Sequence, residues 1–273
     1  MSSARASLAS LRTTLRAARS EADLESLIRS LEDDGRAGAR EIATRARRRI
    51  EADRRERERL AGLLALRDEM AARGVTGIAG VDEVGVGPLA GPVVAAAVVL
   101  PDHVELVGLD DSKRVRRPLR ESLAEQIRAL SLGVGIGEVA VEEIDRMGIY
   151  HAALEAMRRA VAQLSERVEV GHLLVDARRV PGVEIPQTPI VKGDQKDASI
   201  AAASIVAKVH RDAGMKALAE RHPGYGFERH MGYGTAAHLE ALGRLGPSSA
   251  HRRSFAPVER AGRRVGTPAP PPV

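Results

Sequence analysis

The sequence contains no cysteine and no tryptophan, and its 273 residues include only three tyrosines and two phenylalanines. Without cysteine there are no disulfides, no thiolate metal ligands and no cysteine nucleophile. With so few aromatic rings, the core has to be built from Ala, Val, Leu and Ile, a set that suits helices packed on a sheet. No apolar run approaches the roughly 20 residues of a membrane span. The opening MSSARASLASLRTTLRAARS lacks the continuous apolar stretch of a secretory signal. The expectation is a cytoplasmic protein with no membrane partner. Lysine is also scarce and arginine takes its place: Lys113, Lys192, Lys196, Lys208 and Lys216 are the only lysines, all in the middle or later part of the chain.

Hydrophobic residues make up 44% of the chain, enough for a sizeable core. The net charge of +5 and a pI near 9.9 make a polyanion a plausible partner. Residues 1–72 are rich in Arg, Ala, Glu and Leu, with apolar residues at helical spacing between dense charges of both signs. They read as an N-terminal extension of two or three helices, either a solvated charged module or an accessory grip on nucleic acid. From residue 73 the texture changes. Strands are expected over 76–84, 92–100, 133–141, 172–176 and 188–191. Helices are expected over 118–130, 142–147, 150–164, 197–221 and 235–245. Strands that come first as hairpins and later alternate with helices predict an α/β domain, residues 73–258, with a mixed central sheet flanked by helices. Residues 259–273, ending TPAPPPV, read as a disordered Pro-rich tail.

Three of these strands end in carboxylates. Asp82 and Glu83 close the first, Asp176 closes HLLVD, and Asp194 follows IVKG just before a helix. Open α/β sheets build their sites at the C-terminal ends of strands. Four converging carboxylates repel one another unless a cation sits between them. A hard oxygen set with neither thiolate nor paired histidines selects Mg²⁺ or Mn²⁺ over zinc, and two such ions could orient and hydrolyse a phosphodiester. Asp176 and Asp194 also suit the ordinary roles of strand end and helix N-cap. Around the carboxylates, Gly85-Val86-Gly87 can bring main-chain N–H groups against a phosphate or hydroxyl. Asp110-Asp111-Ser112-Lys113-Arg114 offers a hydroxyl and two cations. Tyr225 and Tyr233, flanked by glycines beside Arg229 and His230, form a candidate stacking platform, while Phe227 and Phe255 suit a small aromatic core.

The stretches IAGVDEVGVGPLAGPVVAAAVVL, LDDSKR, LLVDA, IVKGDQKDASIAAASIVAKVHRD and PGYGFERHMGYGTAAHLEALGRLGPSSAHRRSF stand in an order and spacing that resembles bacterial ribonuclease HII. The resemblance implies a ribonuclease H-like fold and metal-dependent cleavage of RNA paired with DNA, including cuts on the 5′ side of single ribonucleotides embedded in duplex DNA. By position it implies that Asp82, Glu83, Asp176 and Asp194 are the catalytic, metal-binding carboxylates for two Mn²⁺ or Mg²⁺ ions. It assigns Gly85, Val86 and Gly87 to the loop that recognises the ribonucleotide, Lys113 to a phosphate contact and Tyr233 to packing on the sugar. It also leans towards a monomer. The chain departs from the family pattern at Val86, where an arginine is usual, and at Met231, where a lysine is usual; Gln195 and Asp197 also differ. These departures leave open an alternative, a hybrid- or duplex-binding protein with weakened or lost catalysis.

Overall fold

The computed structural model describes residues 6–265. It divides into two compact units, one ending at Ala61 and the other beginning at Gly62. In the first, α1 (Leu8–Ala17) and α2 (Glu21–Ser30) pack with the start of α3 (Ala37–Ala72). Ser7 caps α1, and Ser20 and Asp23 form a reciprocal capping box on α2. Leu11, Leu24, Leu27, Ile42 and Ile50 are buried here, and Glu21 is clamped by Arg54 and Arg57. The boundary expected at residue 72 therefore falls earlier. The reason is that Leu66 and Met70, late in α3, pack against Ile78, Leu174 and Ile200 of the second unit.

The second unit is built on a five-stranded sheet of β1 (Ile78–Val84), β2 (Val93–Val99), β3 (Gly133–Val139), β4 (His172–Asp176) and β5 (Gln187–Ile190), in the order β3-β2-β1-β4-β5. β1, β2 and β3 are antiparallel, whereas β4 and β5 run parallel to β1. This is the mixed sheet expected. Every residue of β2, VVAAAVV, is buried, as a strand covered on both faces requires. After α4 (Arg117–Leu130) and α5 (Val141–Met147), α6 (Ile149–Ser165) covers one face with Ala152, Ala156, Met157 and Leu164. The other face is covered by α7 (Ala198–Arg221), whose first ten residues are all buried. Gly80 permits this: a Cβ there would lie 2.0 Å from the backbone of Ser199, so only glycine lets α7 lie against β1.

Three elements had no counterpart in the sequence expectations: a 3-10 turn at Gly193–Gln195, the short α8 (Phe227–His230) and α10 (Ala256–Val265), the last following α9 (Ala236–Leu245). α10 overlaps the tail expected from residue 259. Val258 and Ala261 bury against Leu89 and Leu242, and that contact keeps the chain helical through Val265. The Pro-rich end expected to be disordered, residues 266–273, lies outside the described residues.

Candidate active site

β1 and β4 are parallel neighbours whose last paired positions are Val81 and Val175. One residue further, both strands carry aspartate, so Asp82 and Asp176 emerge side by side. Asp82 shares the face of Gly80 and points towards α7, where it meets the Ser204 hydroxyl. Asp82, Glu83 and Asp176 offer carboxylate oxygens that all lie within 4.8 Å of one another. Burial first, and then Glu83 and Asp176, raise the pKa of Asp82 well above the ordinary aspartate value. Glu83 is raised as well, by burial, with Arg178 at 4.0 Å pulling the other way. Its Oε2 is buried and has no hydrogen-bond partner.

Asp194 stands beside this trio. It lies in the 3-10 turn, whose Gly193 N–H donates to Asp176 Oδ1 at 2.7 Å, so one carboxylate holds the segment that presents another. Its pKa is pushed up to about 6, first by burial and then by Asp111 and Asp176. Asp111 was not among the carboxylates singled out from the sequence. It is buried and accepts from the Lys113 N–H at 2.9 Å and from Gln195 Nε2 at 3.3 Å. Burial works against the charge of Lys113, but Asp111, Asp82 and Asp194 outweigh it and raise its pKa. Asp197 faces elsewhere: it caps α7, accepting from the N–H groups of Ser199 and Ile200. The residues present fit a divalent metal ion. An all-oxygen set in which Asp82, Glu83 and Asp194 have raised pKa values and one buried oxygen lacks a partner is an array that a doubly charged hard cation relieves.

The glycine loop beside the carboxylates is organised by two buried arginines. All five N–H groups of Arg252 are used. Nε donates to Gly91 O at 2.9 Å, Nη1 to Val86 O and Pro88 O at 3.0 and 2.8 Å, and Nη2 to Gly85 O and Pro92 O at 2.6 and 3.2 Å. Arg211 donates to the carbonyls of Pro92, Met231 and Ala90. Gly85 has φ +89°, and a Cβ there would strike the Arg211 side chain, so this position requires glycine. Because the peptides are trans, a carbonyl aimed at Arg252 turns the next N–H the opposite way. The N–H groups of Val86 and Gly87 therefore point away from the guanidinium. Neither arginine stands out in the sequence, since arginine is abundant throughout the chain and only burial sets these two apart.

Among the expected substrate contacts, Gly87 and Tyr233 come together: a Cβ on Gly87 would lie 3.7 Å from the Tyr233 ring. Tyr233 is 40% exposed. Tyr225 is not part of a stacking platform. Its ring is buried, stacked on Phe227 at 5.3 Å, and its hydroxyl donates to Gly246 O at 2.7 Å. Val86 turns its side chain against the core, and Met231 packs on the Tyr225–Phe227 cluster in a left-handed conformation, φ +51°. Lys192 and Ala177 also have positive φ, so each non-glycine residue of this kind among the described residues stands within two positions of Asp176, Asp194 or Tyr233. Such strain gathers at functional sites.

The model of the family described as ribonuclease HII matches residues 79–258, and that of the ribonuclease HII N-terminal domain matches residues 7–66. The chain belongs to the ribonuclease HII family. Ribonuclease HII of Myxococcus xanthus is 52% identical over 244 residues, which cover 89% of this chain and 83% of that one. In fold, the chain is similar to ribonuclease H2 of Pyrococcus horikoshii OT3, with a TM-score of 0.59 and 24% identity over 68% of this chain and 97% of that one. It is also similar to Bst-RNase HIII in complex with Mn²⁺, with a TM-score of 0.55 and 20% identity over 71% of this chain and 73% of that one. As a ribonuclease HII, the protein is a metal-dependent hydrolase with ribonuclease H type 2 activity, on an α/β fold with a mixed sheet. No helix among the described residues is long and apolar enough to cross a membrane.

Proposed function

We propose that the protein hydrolyses the RNA strand of RNA–DNA hybrids and cuts on the 5′ side of single ribonucleotides embedded in duplex DNA, leaving 3′-hydroxyl and 5′-phosphate ends. The observation that carries this reading is the clustering of Asp82, Glu83 and Asp176 within 4.8 Å, with Asp194 adjacent and the Gly87–Tyr233 pair at its side. Asp82, Glu83, Asp176 and Asp194 would hold two divalent ions. When bound, Mg²⁺ or Mn²⁺ supplies a water activated for in-line attack and stabilises charge on the departing 3′-oxygen.

The protein's own groups do the positioning. The outward N–H groups of Val86 and Gly87 suit the 2′-hydroxyl and adjoining backbone of the ribonucleotide. Tyr233 suits packing against its sugar. Lys113 stays charged beside the carboxylates, which suits contact with a substrate phosphate. Main-chain recognition needs no particular side chain at position 86, so Val86 removes a cation without removing the loop's donors. We further propose that the protein acts as a monomer in the cytoplasm.

The alternative, a binder without catalysis, rests on Val86 and Met231, whose side chains pack on apolar clusters. The test is a DNA duplex with one ribonucleotide, incubated with protein and Mg²⁺ or Mn²⁺ against an EDTA control. The expected result is metal-dependent cleavage 5′ of the ribonucleotide. Salt-sensitive binding without cleavage in either metal would favour the binder instead.

A further inference from the structure

Behind Tyr233 lies a chain of buried polar groups that takes no part in the chemistry described above. The Tyr233 carbonyl meets His238 Nδ1 at 2.8 Å, His238 Nε2 meets His251 Nε2 at 3.1 Å, and His251 Nδ1 meets the backbone N–H of Ser248 at 3.1 Å. His238 is fully buried and His251 is 1% exposed. The ends of this chain fix its protons. A carbonyl oxygen can only accept, so His238 carries its proton on Nδ1. A backbone N–H can only donate, so His251 Nδ1 is a bare acceptor; the Ser248 hydroxyl, 2.9 Å from the same nitrogen, accepts from the Ala250 N–H and can turn its own proton to Nδ1. The middle bond then has one arrangement: His251 Nε2–H donates to the bare Nε2 of His238. Both rings are neutral, and the hydrogen bonds run in one direction from Ser248 to Tyr233. An added proton on either ring would set donor against donor.

We infer that His238 and His251 form a neutral, one-directional hydrogen-bond relay that holds the backbone of Tyr233, and so its ring, in place for the substrate sugar. The inference rests on the proposed role of Tyr233. The surroundings agree with it. His230 stacks on His238 with ring centroids 4.4 Å apart, and the Tyr225 and Phe227 rings close around His251. Burial, followed by His238, His222 and His230, pushes the pKa of His251 down to about 3, so its ring stays neutral at any working pH. The segment is also tied to the glycine loop: Leu89 N–H donates to Gly232 O at 2.8 Å, and Ala90 forms a β-bridge with His251. His238 and His251 are therefore positioning residues that act through Tyr233.

Two measurements on the full-length protein test this. Nitrogen NMR of histidine-labelled protein near neutral pH is expected to show His238 protonated on Nδ1 alone and His251 on Nε2 alone. Assignment uses His238→Asn and His251→Asn. The reverse tautomers, or an imidazolium, would overturn the relay. In steady-state cleavage of the ribonucleotide-containing duplex, His238→Gln places its amide near the Nε2 position and loses the bond to Tyr233, so KM is expected to rise about tenfold with kcat little changed. His238→Asn keeps a donor at the Nδ1 position and is expected to restore most of that loss. In a Tyr233→Ala background, His238→Gln is expected to add nothing further to KM. A full additional loss there would assign the histidine to general stability and refute the relay's action through Tyr233. An unchanged KM for Tyr233→Ala alone would refute the sugar-packing role, while the tautomers would still decide the relay.

Discussion

Arg211 and Arg252 donate to the same atom, the carbonyl oxygen of Pro92, at 2.9 and 3.2 Å. Two like charges share one acceptor in the interior. Arg252 is held down to about pKa 9, by burial first and by Arg211 second. The gain that offsets this repulsion is structural: the two side chains gather the carbonyls of Gly85, Val86, Pro88, Ala90, Gly91, Pro92 and Met231. They thereby join the glycine loop to the segment that carries Tyr233.

Arg252→Met would take the Arg252 donor from the carbonyls of Gly85, Val86, Pro88 and Gly91, whereas Pro92 O would keep Arg211. Each buried orphan costs about 1–3 kcal/mol before relaxation, so the melting temperature is expected to fall by roughly 10 °C or more. Arg252→Lys retains a charge but not the five-donor fork, and it should recover little of that loss. Thermal melts of the two variants check this. A lysine variant as stable as the wild type would mean that charge, not geometry, holds the loop.

Asp82→Asn keeps the shape of the side chain and removes a buried charge. Turnover is expected to fall by about 10³-fold or more, because the residue is proposed to be an ion ligand. The metal-free protein should meanwhile become more stable, since the charged form of Asp82 is disfavoured where it sits. Single-turnover cleavage and a melt without metal check the two halves together.

The raised carboxylates also give a pH dependence with a definite sign. Asp82, Glu83 and Asp194 have higher pKa values folded than unfolded, Asp194 at about 6. The folded, metal-free protein therefore takes up protons first as pH falls, and gains stability through the window from about pH 6 down towards the unfolded value near 4. A bound ion competes with those protons. The rise in melting temperature caused by Mg²⁺ or Mn²⁺ should accordingly grow from pH 5 to about pH 8, and shrink in acid. Histidine titrations such as that of His251 are common to both samples and cancel in the difference. An ion-induced shift independent of pH would contradict the assignment.

Val86→Arg places the family's usual cation beside the N–H groups proposed to meet the substrate. Affinity for the ribonucleotide-containing duplex should rise, and the slope of log K against log salt should steepen by about one phosphate contact. An unchanged slope would show that an arginine at this position does not reach the backbone.

The carboxylates were legible because an acid closing an apolar strand is hard to place otherwise, and β1 and β4 do present Asp82 and Asp176 side by side. Glu83 joined them as expected, while Asp194 stands adjacent to the trio because its turn is anchored by Asp176. Tyr225 was misread. A glycine-flanked aromatic ring has the same local pattern whether it faces solvent or, as here, stacks on Phe227. Arg211 and Arg252 acquire their roles only from partners distant in the chain, Asp111 draws on Gln195, 84 residues away, and the His238–His251 pair stands out only once the fold has buried it. Arg252 lies 160 residues from Pro92, a separation over which spacing carries no signal. The end of the N-terminal unit was misplaced for a related reason: helical periodicity marks where α3 continues, not which core its last turns join.

The central claim is that Asp82, Glu83 and Asp176, with Asp194 beside them, hold the divalent ions that drive hydrolysis. Calorimetric titration of Mn²⁺ into the full-length protein at about pH 7.5, beside Asp82→Asn and Asp176→Asn, addresses it most directly. Saturable binding to the wild type is expected, weakened by each substitution by about tenfold or more. Binding of undiminished affinity in both variants would contradict it.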